Sequence, residues 1–476
     1  MSTPAAIFDL DRTLLGGASG PVISRMLREV GLISGRELPG EDLLFRLFNV
    51  VGENRPSMIL TRQAARVAAG WSRATAREAG KLAAEVLIDQ VQPYARILID
   101  EHHRAGRVVA IATTTPFDMV EPLADLLGID DVIATRYGVH GGVYDGTIDG
   151  PFVWGRGKLA AVREWAARRQ VDLDESYAYS DSYYDAPLLS TVGHPVVVNP
   201  DPRMRILAVA RRWPTVFLDV PPGVPKFAGF EPQQAVFPFA RLGGLLPFVD
   251  LHIDGTEHIP REGPAILCGN HRSYFDFMAA AFAIGQAGRP NRFLAKKELF
   301  DVPIFGDLFR AIGGIRVDRG TGSSSPLREA AAALEAGEMV TIMPQGTIPR
   351  GKAFFDPVLR GRSGAARLSK MTGAPIVPMG LWGTEQVWPR NAKVPNVTTV
   401  RNRPEVLVRI GRPFDLDHAN MRVDTEQIMS AIVDLLPPEA REWREPTAEE
   451  LARAMPSGSS SEGDLEHETT RRPGTD

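Results

Sequence analysis

The sequence predicts an α/β protein with more than one domain, and two observations carry this prediction. Short apolar runs, such as residues 5–8 and 265–268, break abruptly into polar residues, which is typical of buried strands. Helical periodicity separates these runs, so strands and helices alternate along the chain. With 476 residues the chain exceeds a single core, and usual domain sizes favour two to four domains. We therefore expect the chemistry at the carboxyl ends of the strands.

Composition and charge exclude several classes of protein. Hydrophobic residues make up 44% of the chain and charged residues 24%, which is ordinary for a soluble globular protein. The formal net charge of -4 argues against a general nucleic-acid binder, so we expect no nucleic-acid partner. The single cysteine, Cys268, excludes an intramolecular disulfide and fits a reducing compartment. Because it lies in an apolar run, we expect it to be buried.

Membrane contact, if it occurs, is expected to be peripheral. The first residues lack a basic region followed by an apolar core, so we expect no signal peptide. No run of about 18 apolar residues occurs in the sequence, so we expect no membrane span. We predict a cytoplasmic protein that lies peripherally at the inner face of the membrane.

Polar residues at strand and helix ends recur in the first half of the chain. A predicted strand at residues 5–8 runs into acidic residues and a threonine, and a mainly helical stretch follows. Taken singly, such residues have ordinary explanations, for example a solvated lysine at a helix start or an exposed acid in a loop. The set, in chain order, is Asp9, Asp11, Thr13, Thr113, Lys158, Asp181 and Asp185.

This ordered set resembles the haloacid dehalogenase-like phosphatases of the subfamily IB type, over roughly residues 5–216. The resemblance implies a Rossmann-like core with a helical cap, at about 20–95, inserted after the first strand. Two departures bear on the substrate. The family often has glycine where Arg12 stands, and residues 14–28 contain no acid where phosphoserine-specific relatives carry a glutamate. The second departure argues against phosphoserine as the substrate.

The resemblance also implies roles for five residues of the set. Asp9 would attack phosphorus and form an aspartyl phosphate, and Asp11 would protonate the leaving oxygen and then activate water. Thr113 and Lys158 would bind the phosphoryl oxygens. Mg²⁺ would be held by Asp9, Asp181 and a backbone carbonyl at Asp11, and its charge would offset that of carboxylate and phosphate.

A proline-rich stretch at residues 220–225 favours extended backbone and marks a domain boundary. We predict a first domain at 1–218, a linker at 219–244 and a second domain at 245–440. Apolar and aromatic residues recur over 230–248. This pattern favours half-buried packing against the second domain, and interfacial contact with lipid is the alternative.

A histidine and an aspartate five residues apart follow the apolar run at 265–268. His271 lies after the predicted strand and Asp276 enters the next helix, which suits a base and its orienting carboxylate. The spacing alone is weak, because His140 and Asp145 share it within a glycine-rich stretch. We interpret that second pair as a hairpin with no catalytic role.

Four further segments follow His271 in a definite order, at residues 293–300, 313–319, 339–347 and 374–378. With the histidine they resemble the glycerolipid acyltransferases that make phosphatidic acid from lysophosphatidic acid. The resemblance implies an α/β acyltransferase domain. Its reaction would move an acyl group from acyl-CoA, or an acyl carrier protein, to a lysophospholipid acceptor.

By this resemblance His271 is the general base that deprotonates the acceptor hydroxyl, and Asp276 holds the imidazole tautomer. Arg319 and a polar turn would bind the acceptor phosphate, and Pro378 would shape the acyl-donor side. The residues of that turn are Gln345, Gly346 and Thr347.

The turn departs from the family pattern at two positions. The family usually has glutamate and arginine where this chain has Gln345 and Ile348. Glutamine keeps the hydrogen-bonding capacity of glutamate but loses its charge. Arg350 or Lys352 could supply the missing cation from a shifted position.

We predict a fusion of two enzymes. Acyl transfer to a lysophosphatidic acid-like acceptor, in phospholipid biosynthesis, is the dominant function, and the first domain is a Mg²⁺-dependent phosphomonoester hydrolase. The alternative makes the phosphatase the main activity and the second domain a lipid-binding module. Residues 456–476 carry almost no apolar side chains and are expected to be disordered.

Overall fold

The structure is a computed structural model, and it consists of two compact units, Met1–Pro222 and Gly223–Asp476. Two predictions, the disordered tail from residue 457 onward and the position of Arg319, lie outside the described residues. The ranges that the structure describes are 2–33, 55–221, 223–226, 229–241, 246–301, 305–317 and 325–456.

The first unit is built around one twisted sheet. Its strands, β1 to β7 within the described residues, are Thr3–Phe8, Val108–Pro116, Asp131–His140, Val143–Asp149, Val171–Ser180, His194–Val198 and Thr215–Val216. Their order in the sheet is β4-β3-β2-β1-β5-β6-β7, and every pair is parallel except β3 with β4. The central strand β1 is apolar and buried at its end, so Asp9 leaves the sheet at the middle of its carboxyl edge.

Helices cover both faces of this sheet and supply the cap. Those of the described residues, α1 to α8, are Gly20–Glu29, Arg55–Val67, Arg73–Leu87, Pro93–Arg104, Phe117–Leu126, Arg156–Arg169, Ala186–Leu189 and Pro202–Arg211. The predicted cap, about 20–95, is helical in α1, α2 and α3. Helices α3 and α5 pack closely because Gly80 has no side chain: a Cβ there would stand 2.4 Å from the Asp118 carbonyl oxygen.

The second unit has its own sheet with a buried central strand. Its described strands, β8 to β14, are Asp250–Asp254, Ala265–Gly269, Arg292–Lys296, Gly314–Val317, Met339–Ile342, Ile376–Trp382 and Glu405–Ile410. Their order is β11-β10-β12-β9-β13-β14-β8, and β13 with β14 is the antiparallel pair. Because β9 lies in the middle, the loop that follows it, with His271, emerges at the centre of the carboxyl edge.

Both faces of the second sheet are covered. The described helices, α9 to α18, are Pro232–Arg241, Asp276–Ala287, Lys297–Phe300, Phe305–Ala311, Ser325–Glu335, Gly364–Thr372, Thr384–Val387, Met421–Val433, Pro438–Arg441 and Ala448–Arg453. Successive residues of β9 point to opposite faces. Leu267 packs in the cluster that includes α10, while Cys268 packs in the cluster with α13, α14 and α16. Burial raises the pKa of the Cys268 thiol, in agreement with its predicted buried position.

The predicted linker, 219–244, needs correction because part of it is folded into the second unit. Helix α9 lies within it and contacts α10. Just before α9, Glu231 pairs with the buried Arg292 at 2.6 Å, since a buried guanidinium needs a partner charge. Leu246 and Phe248 pack against the core, whereas Phe230 is 62% exposed. No helix in the described ranges is both long and apolar enough to cross a bilayer.

Candidate active sites

Lys158 joins two carboxylates at the carboxyl edge of the first sheet. Its Nζ lies 2.7 Å from Asp9 Oδ1 and 2.6 Å from Asp185 Oδ2. The lysine side chain is 1% exposed and Asp185 is fully buried. A buried ammonium requires partner charges because desolvation disfavours it. The explanations from single residues, a solvated lysine and an exposed loop acid, are therefore wrong.

Ser180 and Asp185 belong to this site, although the sequence assigned them no role. The Ser180 hydroxyl donates to Asp185 Oδ2 at 2.7 Å, so the carboxylate that holds Lys158 is itself held. Ser180 is the last residue of β5, the strand beside β1. Its place at the carboxyl end of a strand was the signal that could have identified it.

Asp11 is half-buried, in a position that suits a proton donor. Burial raises the pKa of the Asp11 carboxyl, and the hydrogen bond from the Ser19 backbone N–H, 2.5 Å long, opposes the rise. Thr113 is buried, and its hydroxyl accepts from the backbone N–H of Thr115. Thr115 in turn lies 3.4 Å from the Ser19 hydroxyl. The structure thus links Thr113 and Asp11 through these neighbours.

The predicted magnesium ligands are consistent with a hard cation, although the described residues contain no group of three Asp, Glu, His or Cys side chains that could hold a metal ion. The predicted set needs two carboxylates, Asp9 and Asp181, because its third ligand is the Asp11 carbonyl. All of these donors are oxygens, which Mg²⁺ prefers. Asp185 Oδ1 is a further buried oxygen, and it has no hydrogen-bond partner among the described residues. The magnesium site stays a prediction.

His271 and Asp276 meet in the second unit. His271 Nδ1 lies 2.7 Å from Asp276 Oδ2, and the side chains are 12% and 0% exposed. The histidine follows β9, and the aspartate is the first residue of α10. By contrast, His140 and Asp145 lie on the β3–β4 hairpin, where the Asp145 carboxylate accepts from Thr147 instead.

The Asp276 carboxylate accepts three more hydrogen bonds. The backbone N–H groups of Arg272 and Ser273 donate to Oδ2 at 2.7 and 2.8 Å, and the Thr384 hydroxyl donates to Oδ1 at 2.5 Å. All of these partners are donors, which suits an ionised carboxylate. Thr384 was missed by the sequence reasoning. Its signal was its position just after β13, a neighbour of β9 in the sheet.

The side chain of Arg272 anchors the loop that carries His271. Its guanidinium donates two hydrogen bonds to Glu385, at 3.0 and 2.8 Å, in a bidentate pair. The guanidinium also lies between two rings, 4.3 Å from the Phe354 centroid and 4.1 Å from that of Trp382. These contacts fix the residue that directly follows His271.

The predicted phosphate-binding turn lies beside the histidine. Gln345 Oε1 accepts from the His271 backbone N–H at 2.7 Å. Gly346 has a φ of +74°, a conformation that favours glycine. Thr347 is half-buried and Ile348 is buried. Because isoleucine carries no charge, the cation that the family usually has at this position is missing. Pro378 lies inside β13, opposite Cys268 of β9, and its acyl-donor role stays a prediction.

Arg362 lies against this turn, and the sequence reasoning did not identify it. Its backbone N–H donates to the Pro344 carbonyl at 2.8 Å. Its Nε lies 3.3 Å from the point where a Cβ on Gly346 would stand. The side chain is exposed, whereas Lys352, one of the two cations considered, pairs with Glu445 at 3.1 Å. The structure therefore places a guanidinium, that of Arg362, beside the Gly346 turn.

Two α/β units, one with an aspartate–lysine site and one with a histidine–aspartate site, define a two-domain enzyme. Residues 6–190 match the haloacid dehalogenase-like hydrolase family, and residues 250–382 match the acyltransferase family. The chain belongs to the haloacid dehalogenase-like hydrolases, and its second unit contains an acyltransferase domain.

Curated relatives are similar to about half of this chain. A protein of Streptomyces azureus, named for inhibition of morphological differentiation, is 36% identical over 248 residues, which is 50% of this chain and 88% of that protein. A probable phosphatase of Mycobacterium tuberculosis is 35% identical over 222 residues, which is 46% of this chain and 76% of that protein. Among solved structures, a 1-acyl-sn-glycerophosphate acyltransferase of Thermotoga maritima is 22% identical with a TM-score of 0.34, covering 42% of this chain and 78% of that chain.

Proposed function

We propose that the second unit transfers an acyl group from acyl-CoA, or an acyl carrier protein, to the hydroxyl of a lysophosphatidic acid-like acceptor. The observation that carries the proposal is the 2.7 Å contact between His271 Nδ1 and Asp276 Oδ2. Because the carboxylate accepts there, the proton of the neutral imidazole lies on Nδ1. Nε2 then keeps its lone pair for the acceptor hydroxyl.

The reaction then follows from this tautomer. His271 Nε2 takes the hydroxyl proton while the hydroxyl oxygen attacks the carbonyl carbon of the thioester. Asp276 stabilises the imidazolium that results. When the carbon–sulfur bond breaks, the imidazolium returns its proton to the leaving sulfur. A positioned base of this kind contributes about 10²- to 10⁴-fold to the rate.

An anionic acceptor is supported by the charge beside the Gly346 turn. Arg362 presents a guanidinium there, and guanidinium forks bind phosphate through paired hydrogen bonds. The same turn reaches His271 through Gln345, so a bound phosphate would lie on the side of the base. Arg319 remains a proposed second ligand for this phosphate.

The first unit is proposed to hydrolyse a phosphomonoester. Asp9 would attack phosphorus while Lys158, held 2.7 Å away, binds a phosphoryl oxygen and offsets its charge. Asp11, whose pKa is raised by burial, would protonate the leaving oxygen. Mg²⁺ on Asp9 and Asp181, when bound, would supply further positive charge.

The alternative is that this hydrolysis is the main activity and that the second unit binds lipid. One observation favours it: Lys158, Asp9 and Asp185 form a complete and buried ion-pair set.

A lysolipid panel separates the two proposals. Full-length protein is incubated with acyl-CoA and lysophospholipids of different headgroups, and the products are identified by mass spectrometry. Acylation of lysophosphatidic acid that is lost in His271→Ala supports acyl transfer. No acylated product from any acceptor or donor favours the alternative.

Peripheral contact with the inner face of the membrane is part of the proposal, since the acceptor is a lipid. Phe230, which is 62% exposed in the second unit, is an apolar side chain available for such contact. The test is co-sedimentation with vesicles of anionic lipid at low salt. Binding that is weakened by Phe230→Ser supports the proposal, and wild-type protein that stays in the supernatant contradicts it.

A further inference from the structure

Arg12 lies in the proposed phosphatase site and has two energetically unfavourable features, its backbone conformation and a buried nitrogen without a partner. It lies in the turn Leu10–Leu14 with a φ of +61° and a ψ of 0°, a left-handed conformation that residues other than glycine rarely adopt. Its Nη1 is buried and has no hydrogen-bond partner among the described residues. Strain and an unsatisfied buried donor at one residue are features that point to function.

The surrounding residues hold this turn in place. The Gln92 side-chain amide donates to the Thr13 carbonyl at 2.8 Å and to the Leu15 carbonyl at 3.2 Å. The Asn199 side chain donates to Gln92 Oε1 at 2.9 Å and braces it. These contacts fix the backbone of the turn, and the fixed backbone determines the direction in which the Arg12 side chain leaves it.

The Arg12 side chain points toward Asp181. Arg12 Nε lies 3.3 Å from Asp181 Oδ2, and the side chains are 15% and 6% exposed. The other carboxylate of the proposed magnesium site, Asp9, already pairs with Lys158. Each carboxylate that would hold the metal therefore has a cation of the protein beside it.

We propose that Arg12 is the resident counter-cation of Asp181, and that it binds a phosphoryl oxygen of the substrate when a divalent cation takes Asp181. A guanidinium and a metal ion compete for one carboxylate, since both are cations attracted to the same oxygens. Displaced from Asp181, Arg12 still carries its charge and its unsatisfied Nη1, and a phosphomonoester supplies the acceptor oxygens that both require. The inference rests on the magnesium site proposed above.

Competition predicts a measurable effect on metal binding alone. Mg²⁺ is titrated into the full-length protein by calorimetry, without substrate. We expect the Kd to fall at least tenfold in Arg12→Gly, which removes the competing cation and fits the left-handed backbone. Arg12→Asn should behave alike, because asparagine also tolerates this conformation but lacks the charge.

A matched control is provided by Arg212, an exposed arginine with a φ of +56° at the end of α8. Arg212→Gly relieves the same backbone conformation away from Asp181, and its Kd for Mg²⁺ should equal that of the wild type. Equal Kd values in wild type, Arg12→Gly and Arg12→Asn would overturn the competition while leaving the magnesium site intact. If neither wild type nor variants bind Mg²⁺, the magnesium site and the competition both fail.

The second half of the proposal is tested with inorganic phosphate at saturating Mg²⁺. The wild type should bind phosphate at least tenfold more tightly than Arg12→Gly and Arg12→Asn, and Arg212→Gly should match the wild type. Equal phosphate affinities would show that Arg12 does not reach the phosphoryl group. Since both titrations are independent of turnover, their failure is distinguishable from a failure of the proposed hydrolysis.

Discussion

Gln345 supplies a hydrogen-bond acceptor to the backbone of His271, whose N–H donates to Gln345 Oε1 at 2.7 Å. The donor is a neutral amide, so a neutral oxygen satisfies it and the charge of a glutamate is not needed for this contact. The bond ties the loop after β9 to the turn after β12. The departure of this chain from the acyltransferase pattern is therefore compatible with an ordered base.

Replacing Gln345 tests this contact. Gln345→Leu removes the acceptor and leaves the His271 N–H unsatisfied, which should lower the acyl-transfer rate at least tenfold and destabilise the second unit by about 1–3 kcal/mol. Gln345→Glu keeps an oxygen at the same place and should stay within about threefold of the wild-type rate. Rates are measured with lysophosphatidic acid and stability by denaturant titration. A fully active leucine variant would show that the contact does not matter.

Thr384 should position Asp276, and through it the histidine. Thr384→Val keeps the shape but removes the hydroxyl that donates to Asp276 Oδ1, so kcat should fall about tenfold, an energy of about 1.4 kcal/mol. The matched control, Thr384→Ser, retains the hydroxyl and should keep most of the activity. KM for the acceptor should change little in either variant, because Thr384 touches the carboxylate and not the proposed substrate. Equal kcat values for valine and serine would contradict this role.

Arg362 should determine the affinity for an anionic acceptor. Arg362→Ala should raise KM for lysophosphatidic acid about 10- to 100-fold, the size expected for one charge-assisted hydrogen-bond pair, with a smaller effect on kcat. Lys352→Ala is the control, since Lys352 is paired with Glu445 on the surface. Steady-state kinetics at varied acceptor concentration gives both constants. If Lys352→Ala raises KM and Arg362→Ala does not, the acceptor phosphate lies elsewhere.

His102 should make the first unit less stable in acid. Burial lowers the pKa of His102 to about 4, and its Nε2 lies 2.8 Å from the Tyr179 hydroxyl. Between pH 6.5 and 4 the unfolded chain binds a proton that the folded chain does not, so stability falls as pH falls through this window. The loss should reach about 2–3 kcal/mol near pH 4.5.

The comparison with His102→Gln isolates this contribution from those of other titrating groups. Glutamine keeps a hydrogen-bonding side chain without a titration in this range, so its stability should decline less steeply from pH 6.5 to 4.5. Denaturant titrations of both proteins across that window give the difference. Parallel curves would mean that His102 does not titrate on unfolding as described.

The sequence located residues that lie close to one another along the chain or at strand ends. His271 and Asp276 were predicted because one turn of chain joins a strand end to a helix start, and they lie in contact. Asp9 and Lys158 were predicted from an ordered set of motifs, and the structure brings them to 2.7 Å.

Other contacts depend on the packing of distant segments, which periodicity does not report. Thr384 reaches Asp276 across 108 positions because β13 is the parallel neighbour of β9. Arg362 reaches Gly346 through a loop whose path no local pattern specifies. The predicted linker was wrong from about Glu231 onward because that segment packs against distant parts of the chain. The partner of Glu231, Arg292, is 61 positions away.

A pair of isosteric variants tests most directly the proposal that one chain contains two independent active sites. Asp276→Asn keeps an oxygen for the His271 and backbone donors, and its amide can donate to Thr384, so the fold should persist without the charge. Asp9→Asn removes the proposed phosphorus nucleophile in the same way. The measurement is acylation of lysophosphatidic acid and phosphate release from a phosphomonoester, both in full-length protein. We predict that Asp276→Asn loses about 10³-fold or more of acylation and keeps phosphate release, and that Asp9→Asn does the reverse. Undiminished acylation by Asp276→Asn would contradict the account.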